Sequence, residues 1–229
     1  FQALFLVSIM IFITSVIPLF FSKDLISTNE FDLKKALKMT TLPKKMIFMS
    51  EGSTIVSTGI YWPLFLYLIS ISLSSLGFLF SITSLILAIF SALVGRFSDL
   101  IDRHRLMRIG SYIHAITLTL RTLVRSLFMI FSIQSLGALS YPLLSIPYNS
   151  ILYSNAKRMG ITNFIIGRQI FMQLGKVLIG VLVLVLYLIT QDKVISVFFA
   201  VIAGSLSAVI MSFITEEKME EEKEKSHTL

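Results

Sequence analysis

Apolar runs of membrane-spanning length, separated by short clusters of charge, are the dominant pattern along this chain. The runs fall at 1–21, 46–69, 73–94, 106–130, 131–152, 165–189 and 194–214. Each reaches or exceeds the length a helix needs to cross the hydrocarbon core, about 20 residues. Transmembrane barrel strands would instead show about ten-residue segments of alternating polarity, and none occur. The pattern predicts an all-α, polytopic helical membrane protein with seven transmembrane helices. Composition agrees: 55% of residues are hydrophobic and 14% charged, against roughly a quarter charged in a soluble domain. Mean hydropathy is +0.84.

The net charge of +7 is unevenly placed. Connector 22–45 holds Lys23, Lys34, Lys35, Lys38, Lys44 and Lys45. Segment 96–108 holds Arg96, Arg103, Arg105 and Arg108, and 153–168 holds Lys157, Arg158 and Arg168. The alternate connectors near 70–73, 130–134 and 190–193 carry only Lys193. Such asymmetry places the basic connectors, and the tail after 214, in the cytoplasm. The basic balance thus orients the chain in a cell membrane and implies no nucleic-acid partner. Within 22–45, residues 31–39 suit a short amphipathic helix on the inner leaflet, ended by Pro43. The run 216–225 reads as a solvated cytoplasmic tail.

Enzyme signatures are missing from the sequence. There is no cysteine, and His104, His114 and His227 lie too far apart to read as a metal-ligand motif. No HExxH, Walker loop or GxSxG occurs. No metal, cofactor or catalytic residue is expected. Seven spans with a cytoplasmic tail put the first residue outside. Phe1 already lies in an apolar run, with no charged leader before it. The expectation is a chain truncated at its N-terminus, with an odd number of upstream spans missing.

The turn Gly95–Arg105 carries a more specific signal. Gly95, Asp99, Asp102, Arg103 and Arg105 match the pattern Gly-x-x-x-Asp-x-x-(Gly or Asp)-Arg-x-Arg, with departures at Leu100 and His104. This resembles the cytoplasmic signature loop of the major facilitator superfamily. There it joins the second and third helices, and a weaker copy joins the eighth and ninth. A long basic connector before the helix pair resembles the central loop between that family's two six-helix halves. The resemblance implies helices six to twelve: 1–21 as the last helix of the N-terminal half, 22–45 as the cytoplasmic central loop, 46–214 as the six-helix C-terminal half, and 215–229 as the tail. It implies a missing N-terminal half as partner, and a conformational latch at Gly95, Asp99, Asp102, Arg103 and Arg105. In that latch Gly95 permits close helix approach, and Asp99 accepts from Arg103 and helix amides.

At 100° per residue, Glu51, Thr54, Thr58, Tyr61 and Phe65 share one face of 46–69. Gln134, Tyr141, Ser145, Tyr148 and Asn149 share one face of 131–152, which Pro142 and Pro147 can kink. The resemblance makes these the cavity-lining seventh and tenth helices. Thr58, Tyr61, Gln134, Tyr141, Tyr148 and Asn149 are therefore solute candidates. Lys176, about 18 Å deep by helical rise, joins them with Gln173, since a charge in mid-membrane marks function. Arg121 and Arg125 follow His114 and Thr117 on a helix the family uses as peripheral support, and rank lower. Glu51 and Arg168, both near the inner surface, are expected to pair as a gate. The small-residue stripe Gly77, Ser81, Ser84, Ala88, Ala92 and Gly95 predicts close helix packing.

The implied function is a secondary active transporter, embedded in the lipid bilayer and moving a small solute by alternating access. An ion gradient would supply the energy. Basic interior residues point to an anionic or zwitterionic solute. The alternatives are a complete seven-helix receptor, whose topology also fits, and a non-transporting membrane scaffold. A retinal receptor needs a lysine in the last helix, and the last span lacks one.

Overall fold

The computed structural model describes residues 9–10, 13–14, 32–38, 41–69, 71–98, 101–124 and 126–214. The chain divides into two compact units, Phe1–Glu30 and Phe31–Leu229. In the first, residues 9–10 and 13–14 are helical, and the Thr14 hydroxyl donates to the Met10 carbonyl at 2.7 Å. The second is helical, with no strand among the described residues. Its elements are α1 (Leu33–Lys38), α2 (Leu42–Val56), a π-helical turn (Ser57–Tyr61), α3 (Trp62–Leu68), α4 (Leu73–Phe97), α5 (Arg103–Arg121), α6 (Leu127–Met159), α7 (Ile161–Thr190) and α8 (Lys193–Met211).

Four of these, α4, α6, α7 and α8, are long and apolar enough to cross a membrane. The other two long rods depart from that description for identifiable reasons. The run expected at 46–69 is interrupted by the π turn, which contains Gly59, the residue four positions before Pro63. The proline ring meets the carbonyl of Gly59 in a regular α-helix, and widening the turn relieves the clash. Helix α5 carries Arg103, Arg105 and Arg108 at one end and Arg121 at the other.

Helix boundaries differ from expectation where apolar character runs through a turn. The break placed at 130–134 lies at 122–126. Thr122 and Leu123 close tight bonds to the carbonyls of Thr119 and Leu120, and Ser126 caps α6 by accepting from Met129 N at 3.3 Å. The connector expected at 153–168 shrinks to Gly160, whose φ of 93° glycine adopts without strain. Pro43 does not end α1; it stands in the first turn of α2, where its missing N–H costs nothing. Helix α1 packs on protein, with Ala36 buried against Gly167 of α7.

The helices form two interlocked triplets. The α2–α3 rod, α4 and α5 make one; α6, α7 and α8 make the other. Helix α2 packs on α7 and α8, while α6 packs on α4 and α5, and the third members α5 and α8 pack on each other. The first helix of each triplet thus sits among the last two of the other.

Close approach occurs where small residues meet. A methyl group on Gly52 would overlap the Met172 carbonyl, and one on Gly175 would overlap the Met49 carbonyl. These reciprocal glycines bring the backbones of α2 and α7 into contact. Hydroxyls then bridge helices: Ser53 donates to the Gly175 carbonyl at 3.2 Å, Ser57 to Ala200 at 2.8 Å, and Ser205 to Ala115 at 2.8 Å. With little hydrophobic drive between helices in lipid, such contacts hold a bundle together. The stripe on α4 does not play this part. Gly77, Ser81, Ser84, Ala88 and Ala92 are exposed, and Gly77 and Gly95 have open space where a side chain would go. Within the described unit no neighbouring helix approaches Gly95.

A Gly175→Ala variant should unfold at a lower temperature in detergent, with an overpacking cost of about 1–3 kcal/mol. Gly95→Ala should be neutral or gain up to about 1 kcal/mol from helix propensity. Equal midpoints for the two variants would contradict the packing described.

Candidate functional site

Three elements converge on one carboxylate. Glu51 of α2 is buried, and it accepts from Arg168 Nε of α7 at 2.9 Å. Its second oxygen accepts from Arg168 Nη2 in a close ion pair, so the contact is two-pronged. The Tyr148 hydroxyl of α6 donates to Glu51 Oε2 at 3.0 Å. The expected pairing of Glu51 with Arg168 is thus present in the structure, joined by Tyr148. Glu51 is also the one acidic residue within the described long helices.

Two turns along α2 and α6 from this cluster, a cavity of about 310 Å³ opens among α2, the π turn, α4, α5 and α6. Thr58, Gln134 and Tyr141 line it, as do His114 and Arg121 of α5. Arg121 is only 4% exposed and His114 2%. The guanidinium lies 5.0 Å from the Trp62 ring, a cation–π contact over its face. Trp62 is itself held by donating from Nε1 to Gln134 Oε1 at 2.7 Å. Gly137 leaves the space that Arg121 fills, since a methyl there would stand 2.6 Å from Nη2.

The polar atoms of this pair are incompletely satisfied. His114 Nδ1 lies 3.1 Å from Ser140 Oγ, but its Nε2 has no partner. Arg121 Nε and Nη1 have none either, and no described carboxylate pairs with the guanidinium. Burying an unpaired charge costs several kcal/mol even after relaxation. An arrangement of this kind persists where a ligand or water supplies the missing acceptor. Among the described residues the lining contains cation, amide, phenol and hydroxyl but no acid.

The remaining sequence candidates fall elsewhere. Tyr61 is turned toward Gly180 of α7, because the wide π turn breaks the face that a regular 3.6-residue period assigns to it. Thr54 bonds the Ser50 carbonyl at 2.9 Å within the α2–α8 contact. Asn149 and Gln173 are exposed, and Lys176 is half-buried outside the cavity, with no hydrogen bond or ion pair among the described residues. In the latch, Asp102 caps α5 by accepting from His104 N at 3.0 Å, and Arg103 and Arg105 are exposed. Asp99 and Arg125 lie outside the described residues. Sequence reasoning missed Trp62, Ser140 and the wall residues Phe80 and Thr83. It ranked Arg121 and His114 low, although their one-face spacing with Thr117 was the signal. The groups of His, Asp and Glu that a metal would need are absent among the described residues.

No family model matches this chain, and no curated protein matches it.

Replacing Glu51 by Gln should destabilise the fold by about 3–5 kcal/mol, because Arg168 loses its counter-charge. Tyr148→Phe keeps the ion pair and should cost about 1.5–3 kcal/mol. The exchange Glu51→Arg with Arg168→Glu should recover part of what either single reversal loses. Denaturant unfolding in micelles measures this, and a double variant no better than the singles would refute the coupling.

Proposed function

We propose that the chain is the C-terminal portion of a major-facilitator-type secondary transporter, moving a small solute across a cell membrane by alternating access. The observation that carries this reading is the interlocking of two three-helix units, with a polar-lined cavity between the first unit and α6 of the second. Three spans in each unit would leave the second inverted relative to the first, the arrangement on which rocking transporters are built. Counting the α2–α3 rod and α5 as spans gives the six helices this requires.

The exposed faces support the same reading. The small-residue stripe of α4 and the row Gln169, Gln173 and Lys176 of α7 lie on the surface of the described unit. In the proposed protein they would face a second six-helix half and the pathway between the halves. The cluster Glu51–Tyr148–Arg168 lies between the cavity and the end of the bundle where Arg103, Arg105, Arg108 and Lys157 gather. That end is cytoplasmic by its charge. The cluster is then an inner gate, closed while the ion pair holds and open when the helices separate.

The absence of cysteine from the sequence makes this directly testable. In the full-length protein, the variant Thr58→Cys should react with a membrane-impermeant maleimide from either face of sealed vesicles, in separate conformations. Adding Arg168→Gln should raise labelling from the cytoplasmic face several-fold. A cysteine at 58 that is reactive from one face only, with or without the gate variant, would defeat alternating access.

A further inference from the structure

Arg121 sets a narrower chemical requirement than transport alone. We infer that the cavity bounded by Arg121, His114 and Gln134 binds the carboxylate of a small organic acid that carries no amino group. The inference rests on the proposed transport role of this same cavity and specifies its solute.

The donor set points to one negative charge. Arg121 lies over the Trp62 ring, and its Nε and Nη1 are buried beside the cavity without partners. Edge-on N–H groups are the geometry that recognises a carboxylate. His114 and Gln134 also line the cavity and add polar groups to its wall. One fixed cation balances one carboxylate, whereas a phosphate or sulfate dianion would be left with uncompensated charge.

The rest of the wall describes the body of the ligand. No acidic residue is among the described residues lining the cavity, so an ammonium group would find no counter-charge among them. That removes the zwitterionic option left open by the sequence. Ile55, Phe80 and Leu87 make part of the wall apolar, which suits an alkyl or aryl chain. The volume of about 310 Å³ sits at the small end of ligand pockets, roughly 300–1,000 Å³. Lys176, the strongest sequence candidate for an anion, lies outside this wall and plays no part in the contact.

The chain carries its own reporter. Trp62 is the single tryptophan, and it rests on the guanidinium that the ligand would engage. The full chain in lipid nanodiscs would be titrated with butyrate while tryptophan emission is followed. Butyramide, butylamine, alanine and inorganic phosphate would be titrated in parallel. A saturable change with butyrate, and none with the other four, is expected. Arg121→Gln should weaken butyrate at least tenfold. Gly137→Ala keeps the charge but displaces the guanidinium, and should also weaken it. Lys193→Gln, at an exposed position outside the cavity wall, should leave the titration unchanged.

Equal butyrate affinity in wild type and Arg121→Gln would overturn the inference. So would saturation by phosphate or alanine with butyrate silent, or no saturable response to butyrate in wild-type chain. The transport reading stands or falls separately. Two-sided labelling of a cysteine at 58 without butyrate binding would remove only the solute class. Butyrate binding with one-sided labelling would keep the site and remove transport.

Discussion

The salt bridge from Arg168 to Glu51, completed by Tyr148, governs the electrostatics of the whole bundle. It ties together α2, α6 and α7, which come from both helix triplets. It also occupies the only carboxylate within the described long helices. A buried acid bound on two edges by one guanidinium, and by a phenol besides, has little capacity left for another cation. Arg121 must therefore find its acceptor elsewhere. One arginine is satisfied inside the fold, and the other keeps buried guanidinium nitrogens with no partner among the described residues.

Backbone proximity makes that arrangement possible. Gly52 and Gly175 remove the side chains that would hold α2 and α7 apart, and Arg168 lies two turns from Gly175 on the same helix. The hydroxyls of Ser53, Ser57 and Ser205 spend their donors on carbonyls of neighbouring helices. They lock the contact without adding charge to an apolar interior. On the far side of α2, the π turn ahead of Pro63 carries Thr58 and Gly59 onto the cavity wall. It also swings Tyr61 toward α7. One steric conflict at a proline thus decides which polar residues see the cavity and which see a neighbouring helix.

Part of this was legible in the residues alone. Long apolar runs identify α4, α7 and α8 because hydropathy averages over many positions and tolerates small errors. The partnership of Glu51 and Arg168 was also accessible, since opposite charges near one membrane surface seek each other. Turns were harder. Arg121, Thr122, Arg125 and Ser126 do mark the first break, but they sit inside a longer run whose average hydropathy hides them, and Gly160 lies beside a basic stretch that reads as one connector. The stripe on α4 was misleading for another reason. Small residues permit close packing but do not compel it, and here the compelling surfaces are on α2 and α7.

Helical character, the membrane-suited length of several helices, and the places where charge is rare enough to matter were all readable from the residues. Those properties follow from local periodicity and from the cost of burying polar groups. Only the tertiary structure decided which rare charges are compensated. Lys176 lies at mid-span in the sequence yet falls outside the cavity, whereas Arg121, near a helix end, is buried in its wall. Depth along a helix is a one-dimensional quantity. The partner a side chain meets depends on rotation about the helix axis and on which neighbour packs there, and those are set by contacts between residues far apart in the chain.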